Sequence, residues 1–303
     1  MNIANDRWKR KIVVSRGSFP FEIGDFKCLA VSDGTFTYAP PTFPSPAPFL
    51  FANAPKGLLE QVLNEHDLKP ERWAAWVSPY ICAFIDTGKH KVLVDTGAGN
   101  LDPNTGKLLT NLYAEGIAPK DIDTVILTHG HPDHIGGNVD SEGRLVFPNA
   151  RYIMWKSEWD FWTSELMELK ADEHVRETLR NVAHRNLPPI RDQLHLVDRE
   201  TKIVPGIDAV AAPGHTPGHM ALTVSSEGER LLCLADAVLH PIHVEQLAWY
   251  AVVDVSPEQI ENTRRHLFNR AREENALVLA FHFPFPGLGH IVQMGNRLRW
   301  QPI

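Results

Sequence analysis

The stretch LTHGHPDHIGGN, residues 127 to 138, places His129, His131, Asp133 and His134 within six residues. Imidazole and carboxylate together suit zinc, and also iron, manganese or cobalt. A helix aims two histidines at one ion from positions four apart, as in HExxH. The spacing of two and the adjacent pair found here need irregular backbone, which Gly130, Pro132, Gly136 and Gly137 supply. Four ligands exceed what one catalytic ion with an open position takes and fall short of two ions, so more are expected elsewhere.

Three later positions offer them: His215 in APGHTPGH, Asp236 in LLCLADAVLH and His282 in VLAFHF. Each follows an apolar run that reads as a strand. A charge closing so apolar a run as LLCLAD costs free energy unless it is paired or metal-bound. Taken singly, each reads more readily as hydrogen-bonded structure than as a ligand. Together with the first loop they share one geometry, ligands at the ends of successive strands.

The elements that must position these residues follow from pattern. FKCLAV (26–31) predicts a strand, and YICAFIDTGKHKVLVDTG (80–97) a hairpin turning at Thr87-Gly88-Lys89. Leu108 to Glu115 predicts a helix ending at Gly116, and DTVILTH a buried strand entering the histidine loop. Residues 156 to 185 read as the longest helical region. TKIVPGIDAVAAPG, HMALTVSS and RLLCLADAV read as strands, the last two joined at Glu227-Gly228-Glu229. Ser256-Pro257-Glu258-Gln259 predicts a helix start, with Ser as N-cap, Pro at N1 and Gln at N3, and the helix runs to about Asn275. ALVLAF then leads as a strand into HFPFPGLGHI.

This order predicts an α/β fold, two mixed sheets with helices outside, as one domain over residues 1–303. Residues 1–25 are expected to be an N-terminal extension. Residues 38–55, with six prolines, exclude a central strand or helix interior. They read as a rigid packed loop, a flap over a pocket or a dimer contact.

The net charge of -7 argues against a nucleic-acid partner, which calls for a basic face. No run of 18 apolar residues predicts a membrane span. Cys28, Cys82 and Cys233 sit singly in apolar runs and read as reduced, buried thiols of a cytoplasmic protein.

THGHPDHIGG, GHTPGH, LAD and FH, in this order, resemble the metallo-β-lactamase superfamily of αββα hydrolases. The resemblance runs from VSDG (31–34) and VDTG (94–97) to His282 and implies a four-layer αββα sandwich around two divalent ions, zinc foremost, with iron, manganese and cobalt as alternatives. It implies that His129, His131 and His215 hold one ion, that Asp133, His134 and His282 hold the other, and that Asp236 bridges them. Asp95 would orient a ligand, and His219 and His290 would be structural or support the ligands. Two ions a few Å apart lower the pKa of a shared water, giving a bridging hydroxide nucleophile near neutral pH. Asp133 would both ligate and carry a proton to the leaving group.

Within the superfamily, SDGT (32–35), VLVDTGAG (92–99), FPNA (147–150), DFW (160–162), VPGI (204–207), HTPGH (215–219) and HFPFPGLGHI (282–291) are similar to the branch of methyl parathion hydrolase and related lactonases. That branch implies a lactonase or esterase, with phosphotriesterase activity as an alternative. Acyl-homoserine lactonases place a tyrosine three residues beyond the bridging aspartate, where this chain has Leu239. His240 and His243 stand nearby, either as catalytic hydrogen-bond donors or as polar groups of a loop. Phe43, Phe49, Phe51, Trp159, Trp162, Leu239, Phe283 and Phe285 are candidates for an apolar pocket wall, with core packing as the alternative. The expected function is a binuclear metal-dependent hydrolase of lactones or hydrophobic carboxylic esters. An organophosphate triester or aryl ester hydrolase, and a non-catalytic metal-binding protein, are the alternatives. A small hydrophobic ester and a second copy of the chain, in a homodimer, are the expected partners.

Overall fold

The computed structural model describes residues 17–69, 71–164 and 173–303. One seven-stranded sheet follows chain order: β1 (Ser18–Ile23), β2 (Phe26–Tyr38), β3 (Trp76–Asp86), β4 (Lys91–Val94), β5 (Thr124–Ile126), β6 (Arg151–Trp155) and β7 (Leu194–Val197). Its first four strands pair antiparallel, and β4 to β7 pair parallel. The second seven-stranded sheet holds β8 (Thr201–Val204), β9 (Ile207–Ala211), β10 (Met220–Ser226), β11 (Glu229–Ala235), β12 (Leu277–Ala280), β13 (Leu288–Met294) and β14 (Arg297–Pro302). Only β11 and β12 are parallel neighbours there. The helices are α1 (Pro46–Leu50), α2 (Lys56–Glu65), α3 (Leu108–Ala114), α4 (Pro132–Ile135), α5 (Lys156–Thr163), α6 (Glu173–Asn186), α7 (Ile242–Glu245) and α8 (Pro257–Glu273).

Strand alternation explains how these pieces stack. On β3, Ile81, Ala83 and Ile85 join Leu222, Val224, Leu231 and Cys233 of the second sheet in a core between the sheets. Tyr80, Cys82 and Phe84 face the other way, into a core shared with Leu112 of α3 and Trp162 of α5. On β11 the neighbours Leu232 and Leu234 turn outward to Leu267 and Phe268 of α8. Both faces of each sheet are therefore apolar, and the layers run helix, sheet, sheet, helix. Each Leu, Ile or Val buried this way contributes about 1.5–3 kcal/mol, which holds the strand ends firmly. A fourth cluster caps one end: Phe49, Leu50 and Phe51, Val62 and Leu63 of α2, Trp76, Leu239, Ile242 and Trp249.

Several expectations need correction. Residues 18–23 are an edge strand rather than an extension, zipped to β2 from Ser18↔Val31 to Ile23↔Phe26 because SFPFEI alternates like its partner; residues 1–16 lie outside the described residues. The Pro-rich segment is not all loop. Tyr38 ends β2, and Pro46 opens α1 at a position where a helix needs no N–H. The helical region from 156 breaks after Thr163, α6 begins at Glu173, and the residues between 164 and 173 lie outside those described. Among the described residues, α8, with 17 residues, is the longest helix. It opens with Pro257 as expected, but Ser256 makes no side-chain cap, and the helix stops at Glu273, short of Asn275, which takes a left-handed φ of 48°.

Candidate metal centre

β4 and β5 run parallel, as do β9, β11 and β12 within their sheet, so the C-terminal ends of these strands gather at matching edges. Every predicted ligand lies just beyond such an end: His129 to His134 after β5, His215 after β9, Asp236 after β11 and His282 after β12. Asp236 is delivered by a sharp turn, since Ala235 sits at φ 44° after a register shift in β11. A non-glycine residue held there costs on the order of 1 kcal/mol or more, which packing around the strand must offset.

The seven side chains form two clusters that share Asp236: His129, His131, His215 and Asp236, then Asp133, His134, Asp236 and His282, all buried. In the first, His131 Nδ1 lies 3.0 Å from His129 Nε2 and 2.9 Å from His215 Nε2, and His215 Nε2 lies 3.3 Å from Asp236 Oδ2. In the second, His282 Nε2 is 2.9 Å from Asp236 Oδ2 and 3.5 Å from Asp133 Oδ2, while His134 Nε2 is 3.2 Å from Asp236 Oδ1. A tetrahedral ion with bonds of about 2.0–2.1 Å sets its ligands about 3.3 Å apart. The separations scatter around that value, so the donor set and spacing fit a divalent ion in each cluster. His134 Nε2 and Asp236 Oδ1 also face each other sealed from solvent, and among the described residues neither makes a hydrogen bond. Such atoms cost free energy unless a cation occupies the space between them.

The far side of each ring explains its aim. His134 Nδ1 donates to Asp95 Oδ2 at 2.7 Å, and Asp95 also accepts the Thr128 amide and hydroxyl. With its proton given to Asp95, Thr128 Oγ1 accepts from His129 Nδ1 at 3.1 Å. His215 Nδ1 donates to Asp254 at 2.7 Å, and His282 Nδ1 donates to Ser78 Oγ at 2.7 Å. His219 donates from Nδ1 to the Ala212 carbonyl and accepts the Asp236 amide on Nε2, so it steadies the shared carboxylate through its backbone.

Burial pushes His129 and His131 well below the usual imidazole range, leaving lone pairs free to ligate. Burial also lowers His219, to about 3, consistent with its accepting nitrogen. At His134 burial pulls down, but Asp236, Asp95 and Asp133 outweigh it and hold the ring well above its usual range. His215 reaches about 9: burial again pulls down, and its bonds to Asp236 and Asp254 more than offset it. Asp133 is raised by burial, whereas in Asp236 the surrounding His282, His134 and His129 overcome burial and keep it ionised.

Sequence reasoning missed Ser78, Thr128, Asp254, Glu158 and Arg264. Glu158 is fully buried and accepts the amides of Gly130 and Gly218 and the Trp162 indole N–H, tying both histidine loops to α5. Gly130 must be glycine, because a Cβ there would overlap the Trp162 ring. Arg264 of α8 donates to the carbonyls of Ala237, Leu247 and Trp249, just beyond Asp236. The one local signal for these residues was charge inside apolar context, as in AVVDV and WKSEW.

The proposed pocket wall is mostly core. Phe49, Phe51 and Leu239 pack inside the cap, Trp159 and Trp162 inside the helix layer over the first sheet, and Phe283 under α8, edge-on to Trp300. These side chains are large and apolar, and full burial gains more than lining a wet pocket. Phe285 packs toward the core between the sheets, and half-buried Phe43 meets Phe36, Tyr38 and Phe49. Of the predicted rings Trp162 reaches a ligand, His131, from its buried position; the other rings on ligands are Trp76 and Tyr80 on His282 and Phe281 on His134. His240 lies between Phe51 and Trp73 and joins neither cluster; its Nδ1 accepts the Ile242 amide. His243 uses both nitrogens, accepting the Leu239 amide and donating to the Leu50 carbonyl. His290 donates to the Ala276 carbonyl, away from the centre.

Comparison with known proteins brings the site into a family. An N-acyl homoserine lactonase of a Bacillus sp. is 26% identical over 169 residues, 49% of this chain and 59% of that protein. The match thus spans less than two thirds of that relative. The Bacillus thuringiensis N-acyl homoserine lactonase is 25% identical across 67% of this chain and 81% of its own length. Among solved structures, AidC, a dizinc quorum-quenching lactonase in complex with a product, superposes with a TM-score of 0.83 at 25% identity, covering 95% of this chain and 97% of AidC. The hydrolase AbOPH gives 0.82 at the same identity and coverage. The profile of the metallo-β-lactamase superfamily matches residues 78–281, taking in the strand ends that carry six of the seven clustered side chains and stopping one residue before His282. On that match, the chain belongs to the metallo-β-lactamase superfamily.

Proposed function

We propose that this chain is a metal-dependent hydrolase that opens lactones, or related hydrophobic carboxylic esters, at a pair of zinc ions. The observation that carries this reading is the pair of buried clusters sharing one aspartate. Likeness to a dizinc lactonase supports both the metal and the substrate class. Two ions held by His129, His131 and His215, by Asp133, His134 and His282, and by Asp236 between them would supply an activated water and polarise the ester carbonyl.

The remaining steps belong to side chains. Asp95, Ser78 and Asp254 accept the outward Nδ1 protons of His134, His282 and His215, which turns each inward Nε2 toward its cluster. His131 and Asp133, 9% and 7% exposed, are the most accessible of the seven, which puts the open side of the centre there. Hydrolysis adds water across the acyl–oxygen bond: hydroxyl ends on the acyl carbon and a proton on the departing alkoxide. Asp133, beside His282 and among the most accessible of the seven, would pass that proton to the alkoxide. From a lactone the product is a single hydroxy acid.

The same reading carries a homodimer and a cytoplasmic location. Three buried free thiols, Cys28, Cys82 and Cys233, support a reducing compartment. Among the described residues no helix is long and apolar enough to cross a membrane.

The test is a panel of acyl lactones, aryl esters and a phosphotriester, run on protein stripped of metal and on protein reloaded with zinc. A lactone turned over at kcat/KM of about 10⁴ M⁻¹s⁻¹ or more, only after reloading, supports the reading. A phosphotriester preferred over every lactone would replace the substrate class, and inertness across the whole panel would leave a metal-binding protein.

A further inference from the structure

The wall over the second cluster carries two hydroxyls that the ligand arrangement leaves unused. Alternation on β3 sets Trp76, Ser78 and Tyr80 on one face, and all three meet His282. Ser78 Oγ binds its Nδ1, and the Trp76 and Tyr80 rings lie 5.7 and 5.5 Å from the imidazole. Tyr38 pairs with Trp76 in the sheet register and stacks on it, centroids 4.9 Å apart. The Tyr38 and Tyr80 hydroxyl oxygens are 2.9 Å apart.

Two hydroxyl protons serve one hydrogen bond, and neither oxygen has a second partner among the described residues. One proton is therefore left over. Tyr80 is 1% exposed, and an unpaired donor sealed there would cost roughly 1–3 kcal/mol. Tyr38 is half-buried as a residue, so of the two side chains it is the less costly place for the spare proton. The favoured arrangement has Tyr80 donating to Tyr38, whose own proton is then the one left free for a ligand. Burial foremost raises the pKa of the Tyr38 hydroxyl, so it stays protonated. The loop after Asp236 offers no competing hydroxyl, since Leu239 is sunk in the cap.

We propose that Tyr38, oriented by Tyr80, donates a hydrogen bond to the leaving-group oxygen of the ester as its bond to the acyl carbon breaks. The inference rests on the hydrolase reading above. Tyr38 lends a hydrogen bond and gives up no proton; the proton that ends on the alkoxide comes from Asp133 or solvent. A donor placed here matters most for poor leaving groups, where charge accumulates on that oxygen.

The experiment compares wild type, Y38F, Y80F and the double variant, all zinc-loaded, on a γ-lactone and on a p-nitrophenyl ester, with bound zinc and Tm measured for each. Y38F should lose about 10–100-fold in kcat on the lactone and less than about threefold on the nitrophenyl ester, with zinc content unchanged. Y80F should fall between wild type and Y38F, and the double variant should match Y38F, because Tyr80 acts through Tyr38. Equal losses on both substrates, or none, in a folded and metal-loaded Y38F would overturn the tyrosine role. If Y38F does not fold, Y80F decides: a lactone kcat equal to wild type overturns the pair, and a lactone-selective loss supports it. A wild type inert on every lactone would instead overturn the functional reading itself.

Discussion

Asp254 receives the Nδ1 proton of His215, and without that bond the ring can turn its Nε2 away from the first cluster. D254A should therefore weaken metal binding by about 10–100-fold with little change in circular dichroism, as a zinc-buffered titration would reveal. Zinc affinity equal to wild type would show that packing alone aims His215. Gly130 supplies a second test at this scale. G130A drives a methyl into the Trp162 ring, beside the amide that Glu158 accepts. It should cost about 1–3 kcal/mol in urea unfolding, and a midpoint unchanged from wild type would contradict the close approach. The seven clustered residues were legible because His and Asp are out of place at the ends of apolar runs. Asp254 and Glu158 were not, because they meet their partners 39 and 28 positions away, and nothing local encodes such a meeting.

At the level of elements, the two mixed sheets and the strands that carry the ligands could be read from period and punctuation, while β1, β6, β7, β13, β14 and the cap could not. A Pro-rich segment excludes regular structure over most of its length, but nothing in it says that Phe49 and Phe51 will be buried against Trp76 and Trp249 from distant parts of the chain. That long-range packing turned an expected pocket wall into core. Two buried charges hold the connecting segments and can be probed. Arg264 serves three carbonyls beyond Asp236, so R264M would strand them. It should lower stability by about 2–5 kcal/mol, read as a drop in denaturant midpoint, and a midpoint within error of wild type would refute that clamp. Asp33 accepts the amides of Ala98, Gly106 and Leu108, yet burial outweighs them and pushes its carboxyl up to about 6. A carboxyl raised on folding favours the folded state in its protonated form. Its contribution is complete below the unfolded value near 3.8 and is lost as pH rises through about 6. The Tm advantage of wild type over D33N should therefore narrow between pH 4 and pH 7, with metal loss at acid pH affecting both proteins alike. An advantage that widens with pH would mean that the amides dominate.

For the whole molecule, two sheets, a shared aspartate and a cap make sense together only if folding and metal binding are linked. A ligand that binds the folded state alone stabilises it by mass action, about 2.7 kcal/mol at a hundredfold excess over Kd. Chelation should accordingly lower Tm, and zinc should restore it. The measurement that bears most directly on the central claim is a titration of metal-free protein with zinc, following lactone hydrolysis and bound metal in the same samples. The two clusters around Asp236 predict that activity rises with occupancy and levels off at two equivalents per chain. Hydrolysis by the metal-free protein, or a plateau of bound zinc well below one equivalent, would contradict it.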